Sequence, residues 1–305
     1  MSITKKFRVE KGSDFRLKDY DPAVTLGVKS KKQALYALEE GTLQLSTLQD
    51  RLFARDCWAL LVILQAMDGA GKDSTIKHVM SGVNPQACQV TAFKVPSAEE
   101  LDHDFLWRAV RNLPPRGRIG IFNRSYYEEV LVVKVHPELL EKQKLPPGLV
   151  TKNIWEQRYK DINAFERYLR RNGIITLKFY LNLSKKEQKK RFLKRLEEPE
   201  KNWKFSAADV AERQCWDDYM DAYEQMIQNT ATECAPWYVV PADHKWVTRL
   251  IVAKAIVETL EALQLEYPKV GQKERKELEA ARRALEHENG QRKRQHEKTN
   301  KKNPD

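Results

Sequence analysis

Residues 57–75 read CWALLVILQAMDGAGKDST, and the rest of the chain is organised around them. Cys57 to Leu64 are eight consecutive apolar residues, too few to span a membrane and suited to a parallel strand buried on both faces. The residues that follow are small, acidic and glycine-bearing. From Lys72 onward the pattern turns helical, with Ile76, Val79 and Met80 at three- and four-residue spacing. A strand, a small-residue loop and a helix start, in that order, are the recipe for a phosphate cradle, set against the plainer reading of a turn with a surface lysine. Backbone N–H groups of Ala70, Gly71, Lys72, Asp73 and Ser74 are placed to converge on one anion, the helix dipole adds positive potential, and Lys72 adds a full charge. The template for such a loop is GxxxxGK[ST]. Gly71 and Lys72 match it, whereas Ala66 stands for the first glycine and Asp73 for the hydroxyl residue.

Two carboxylates beside an anion site need a reason, because they repel phosphate unless a metal lies between. Asp68 is therefore either a Mg²⁺ anchor or a loop residue bonding its own backbone. Asp73 also suits the first turn of a helix, where acids are favoured.

Four further strands are expected downstream. They are residues 90–94, 119–122, 176–181 and 237–241, with amphipathic helices at 97–112, from about 151 to 172, at 209–228 and at 246–263. Strands alternating with helices predict a doubly wound, three-layer α/β/α sandwich on a five-stranded parallel sheet. A second strand-to-helix junction, Asn123-Arg124-Ser125-Tyr126-Tyr127-Glu128-Glu129, would lie beside the first, where such sheets bind ligands. Ser125 with Glu128 fits a capping box.

Residues 184–204 carry nine basic side chains against four acidic ones. Ser184 and Glu187 fit a second capping box, and Arg191 and Arg195 share one helical face. A basic helix directly after a strand suits a lid over a phosphate donor, set against the plainer reading of a solvated basic face. Asp243, His244, Lys245 and Arg249 follow the fifth strand; His244 has no partner pattern that would make it catalytic. Three regions result: an N-terminal helical arm (1–55) with a small basic cluster at residues 29–32, a kinase-like domain (56–267) with its lid at about 184–208, and a charged tail (268–305) expected to be a frayed helix plus disorder.

The net charge is +11, from 54 basic and 43 acidic residues in a chain of 305, and points to a polyanionic partner: nucleic acid, an acidic membrane or a phosphate-rich substrate. The four cysteines show no CxxC or metal-ligand spacing and suit a reducing compartment. The N-terminus, MSITKKFRVEKG, has no apolar signal region, so a soluble, cytoplasmic protein is expected.

With cradle, second junction and basic lid in place, the chain resembles the polyphosphate kinase 2 family. The stretches that carry the likeness are QAMDGAGKDSTIK (65–77), FNRSYYEEVLVVKV (122–135), KEQKKRFLKR (186–195) and APWYVVPADHK (235–245). The Asn-Arg-Ser start and the acidic pair after the tyrosines are most similar to the subgroup called class III, associated with phosphorylating both nucleoside mono- and diphosphates. The resemblance implies a thymidylate-kinase-like P-loop fold with strand order 2-3-1-4-5, Mg²⁺ (with Mn²⁺ as a substitute), and a dimer or tetramer. It also implies reversible phosphoryl transfer between inorganic polyphosphate and a nucleotide. On the matching positions, Asp68 would hold metal, Lys72 would bind the transferring phosphates, Arg124 would brace the transition state, and Arg191 and Arg195 would clamp phosphate from the lid. Asn123 stands where other branches carry Asp; a neutral amide is a weaker metal ligand, which leaves Asp68 with more of that task and makes Glu128 and Glu129 candidate helpers.

Such a reaction needs no general base, because the acceptor is a phosphate oxygen that is already anionic. No Ser-His-Asp or Cys-His arrangement is evident in the sequence. Two alternatives stand beside this reading: an ATP-dependent nucleotide kinase on the same fold, and a nucleic-acid-binding protein. The first needs fewer lid charges than residues 184–204 supply. The second lacks recognition motifs, so neither specific nucleic acid nor membrane is expected as a partner.

Overall fold

The computed structural model describes residues 3–28 and 31–300. Lys29 and Ser30 of the basic cluster, and the last five residues of the tail, lie outside the described residues.

A six-stranded sheet runs through residues 3–266. The short strand β1 (Arg8–Val9) precedes the long helix α1 (Lys31–Arg55), β2 (Ala59–Gln65) and α2 (Lys72–Val79). Next come β3 (Cys88–Ala92), two single-turn helices α3 (Ala98–Leu101) and α4 (Trp107–Val110), β4 (Ile119–Asn123) and the short α5 (Val132–Val135). Then follow α6 (Ile154–Arg171), β5 (Ile174–Asn182), α7 (Lys185–Glu197), α8 (Ala207–Glu212), α9 (Trp216–Thr230), β6 (Trp237–Pro241) and α10 (Lys245–Glu261). The strands lie in the order β1-β6-β5-β2-β4-β3. Apart from β1, which pairs antiparallel with β6, all pairings are parallel. The five parallel strands thus follow the expected order, with β1 added at the β6 edge.

Alternation along the strands divides the core into two layers. Leu60, Val62 and Leu64 of β2 pack with Leu45, Leu48 and Leu52 of α1 and Val247 and Ile251 of α10. Leu61 and Ile63 face the other way, toward Tyr159 and Ile162 of α6 and Tyr223 and Met226 of α9. All seven residues of β2 are buried, as a central strand covered on both faces requires.

Two segments depart from the periodicity. The stretch expected as one helix over 97–112 is broken, because Asp104 accepts from the Leu106 N–H at 2.9 Å through its side chain and from the Trp107 N–H at 3.1 Å through its carbonyl. Such local bonding is the usual way an Asp diverts a helix into a turn. The helix over 209–228 likewise divides into α8 and α9.

Residues 267–305 form a separate unit containing the helix α11 (Gln272–Asn300). Among the described residues no helix is long and apolar enough to cross a membrane.

Candidate active site

The carboxyl end of β2 runs into the cradle. Gly69 and Gly71 take φ of +84° and +103°, conformations that an L side chain resists. Ala66 is not among the residues with positive φ, so its Cβ is tolerated where the template has glycine. Lys72 opens α2 and is buried, its Nζ donating to the Ala66 carbonyl at 2.8 Å and lying 3.7 Å from Asp68 Oδ1. Burial lowers the Lys72 ammonium's pKa, and Asp68 opposes that.

Arg124 comes to the same carboxylate from the end of β4. Its Nη2 donates to Asp68 Oδ1 at 2.7 Å, while Nη1 lies 3.3 Å from Glu128 Oε2. Its backbone is left-handed, φ +64°, and its N–H donates to the Leu64 carbonyl at 3.0 Å, at the end of the neighbouring strand. A non-glycine residue in that region costs about 1–3 kcal/mol, which here accompanies the aim of a guanidinium across the cradle. Burial works against ionisation of Asp68, but Lys72, Arg124 and Arg195 together outweigh it and hold the carboxyl below the usual range. Arg124 is pushed the other way: Glu128 and Asp68 outweigh its own burial and raise its pKa.

The Ser125–Glu128 capping box does not form. Residues Tyr126–Val130 are a 3-10 helix in which the Ser125 side chain accepts from the Tyr127 N–H, and Glu128 holds Arg124 and the Gln65 amide, the latter at 3.1 Å. The turn is fixed from beneath by a buried ionic cluster. Glu166 accepts from the hydroxyls of Tyr126 and Tyr127 at 2.9 and 2.7 Å. Lys178 donates to Glu166 at 2.7 Å, to the Tyr127 hydroxyl at 2.9 Å and to the Thr230 carbonyl at 2.7 Å. All three ammonium protons are placed, and Lys178 and Glu166 are both inaccessible to solvent.

The basic helix α7, expected as part of a lid, contributes differently from expectation. Gln188 of α7 donates to the Asp68 carbonyl at 2.8 Å. Arg191 donates through Nη1 to the carbonyls of Gly69 and Ala70, both at 3.0 Å, and through Nη2 to those of Ala242 and Asp243 at 2.7 and 2.9 Å. Its Nε donates to Glu187 at 3.0 Å. The five N–H donors of a guanidinium are thereby all occupied, so Arg191 braces the back of the loop and has none left for a phosphate clamp. Arg195, one turn on, pairs with Asp209 at 3.7 Å and is the α7 arginine whose charge acts on Asp68. Ser184 caps α7, accepting from the Glu187 N–H at 3.1 Å, but the reciprocal half of the expected capping box does not form: Glu187 is taken by Arg191, and Asp243 accepts both the Ser184 N–H and its hydroxyl at 2.8 Å. Gln188 carried no signal in the sequence beyond its place on a basic helix.

Of the expected metal ligands, Asp68 lies at the mouth of the cradle and Glu128 beside it. Asn123 donates to Asp73 Oδ1 at 2.6 Å, which ties the head of α2 to the end of β4. Glu129 is turned away: buried, it accepts from Arg158 Nε at 2.9 Å and from the Gln143 amide at 2.7 Å, so its carboxylate is already committed. Among the described residues no three acidic, His or Cys side chains are grouped as a metal cage. Asp68 and Glu128 leave one or two carboxylates at the loop, a donor set that suits a hard divalent cation completing its shell with phosphate oxygens and water.

The family model for polyphosphate kinase 2 matches residues 28–268. An ADP-polyphosphate phosphotransferase of Rhodopseudomonas palustris is 53% identical over 283 residues, 92% of this chain and 98% of that protein. An AMP/ADP-polyphosphate phosphotransferase of Meiothermus ruber is 45% identical over 265 residues, 87% and 95% of the two chains. The crystal structure of polyphosphate kinase 2 from Arthrobacter aurescens superposes with a TM-score of 0.83 at 42% identity, covering 94% of this chain and 97% of that one.

Proposed function

The chain belongs to the polyphosphate kinase 2 family, and from that premise we propose that it transfers phosphoryl groups reversibly between inorganic polyphosphate and nucleoside mono- and diphosphates. The observation that carries the proposal is the meeting of Lys72 and Arg124 on one carboxylate, Asp68, at the carboxyl ends of β2 and β4. Two cations and a metal-capable acid at the head of a phosphate cradle suit the passage of a PO₃ group between two anionic oxygens.

In this assignment the amides of residues 71–74 and Lys72 hold the donor's terminal phosphates; the Ala70 N–H, expected among them, is spent on the Met67 carbonyl at 3.3 Å. Arg124 offers a planar fork to the moving group, and Arg195 closes from the lid. A divalent cation, Mg²⁺ by the chemistry of its donors, would be held by Asp68 and would neutralise charge on the phosphate oxygens. The protein's part is alignment and electrostatic stabilisation; no side chain need take a proton.

The test is a Mg²⁺-dependent assay with long-chain polyphosphate and AMP or ADP supplied separately, without ATP, following every nucleotide product. Formation of ADP from AMP and ATP from ADP is expected. Turnover only when ATP is the donor would replace the proposal with an ordinary nucleotide kinase.

A further inference from the structure

A second cationic wall stands beside the cradle, on α10. Arg249 donates through Nη2 to the Ser74 hydroxyl at 2.8 Å, while its Nε is buried without a hydrogen-bond partner. Among the described residues no carboxylate is paired with it, and burial lowers its pKa. Electrostatics disfavour a guanidinium here, because Ser74 lies in the first turn of α2, the positive end of that helix, two residues from Lys72. One turn earlier on α10, Lys245 brings its Cε to 3.9 Å from the position a Cβ on Gly71 would occupy. Its stem therefore runs along the turn that closes the cradle.

We propose that Lys245 and Arg249 form the exit track of the donor, binding those phosphates of a linear polyphosphate that extend beyond the ones held at Lys72. The inference rests on the functional reading above and adds the direction in which the donor leaves the site: over the first turn of α2 toward α10. Three features support it. Arg249 is a partly desolvated cation that an anion would complete. The Ser74 hydroxyl, having accepted from Arg249, keeps its own proton to donate to a phosphate oxygen. The charge also continues past the cradle, which serves a donor that is anionic at every repeat. A nucleoside triphosphate ends in an uncharged ribose and base, and gains little from cations placed there.

The experiment compares kcat/KM for a short linear oligophosphate and for long-chain polyphosphate, with ADP as acceptor, in the wild type and in Arg249→Gln, Lys245→Gln and Arg249→Lys. The preference for the long donor should fall by about tenfold in Arg249→Gln, the worth of a charge-assisted hydrogen bond, and by less in Lys245→Gln. Arg249→Lys, which keeps the charge, should retain most of the preference. The log–log dependence of long-donor kcat/KM on salt should become shallower by roughly one unit per cation removed, by analogy with nucleic acids. Thermal melting shows whether each variant is folded; should Arg249→Gln melt early, Lys245→Gln on the exposed side chain carries the test. An unchanged preference and salt slope in folded variants would overturn the exit track and leave the activity standing. A wild type that consumes no polyphosphate would instead overturn the functional reading itself.

Discussion

Replacing Arg191 with methionine separates a brace from a substrate clamp. Methionine keeps the aliphatic stem and removes every donor. Five hydrogen bonds are lost, to four backbone carbonyls and Glu187. At about 1.5–3 kcal/mol for each bond to a charged group, a simple sum would be roughly 8–15 kcal/mol. That overstates the effect, because the guanidinium's own desolvation cost disappears with it and the freed carbonyls at the cleft edge regain water. About 3–5 kcal/mol is the expected net loss, as for other broken buried ionic contacts. At about 2 °C per kcal/mol for a domain of this size, the ligand-free variant should melt roughly 6–10 °C below wild type. A chain this long need not unfold in two states, so hydrogen exchange supplies the local readout: amides of residues 68–73 should lose protection while the centre of β5 keeps it. Arg191→Lys should recover little, since a point charge with three donors cannot span two separate pairs of carbonyls. Unchanged melting and exchange, together with a raised KM for polyphosphate, would refute the brace and restore Arg191 as a phosphate ligand.

The same geometry carries further expectations. Lys72→Ala and Arg124→Ala should each lower kcat by about 10²–10³ while the protein stays folded; turnover near wild type in either variant removes that residue from the site. Chelating divalent cations should abolish transfer, and Asp68→Asn should raise the Mg²⁺ concentration needed for half-maximal rate, which a magnesium titration of both proteins measures. Because the folded pKa of Asp68 lies below its unfolded value, its contribution to stability is present above about pH 4 and fades as pH falls through the folded value. The stability difference between wild type and Asp68→Asn, followed by denaturant titration from neutral to acid pH, should shrink on acidification. Lys178→Met should cost about 3–5 kcal/mol by leaving Glu166 unpaired in the core, and Glu166→Gln placed on top of it should recover part of that loss in the denaturation midpoint.

The parallel sheet was legible because its signal is redundant. Residues 59–64 can hardly be anything but a buried strand, and 237–241 are bounded by turns at the limits the structure shows. Side-chain direction was far less legible. Ser125 and Glu128 have the spacing of a capping box, yet the turn is 3-10, with three residues per turn instead of 3.6. In that geometry Glu128 reaches Arg124 and Glu129 points back to Arg158 of α6. Asp102 and Asp104 inside an otherwise periodic stretch were the available warning that 97–112 would break. β1, only two residues long, is below what periodicity can detect.

Arg191 and Arg195 show the same limit at the site itself. Four residues apart, they share a helical face and look interchangeable in the sequence. One turn along the helix axis is about 5.4 Å, and that displacement decides their roles. Arg191 abuts the carbonyls of residues 69 and 70, with Gln188 a turn earlier on the carbonyl of residue 68, whereas Arg195 comes within electrostatic reach of Asp68. A peptide unit whose carbonyl is held from behind has its N–H fixed in the opposite sense; the Ala70 N–H is spent on the Met67 carbonyl at 3.3 Å, so it is the hold on the Ala70 carbonyl that orients a free amide, that of Gly71. Bracing the oxygens of the loop is thus also a way of aiming its amides. That gives α7 a structural task at the loop, and it ties the position of its first two turns to the shape of residues 68–70.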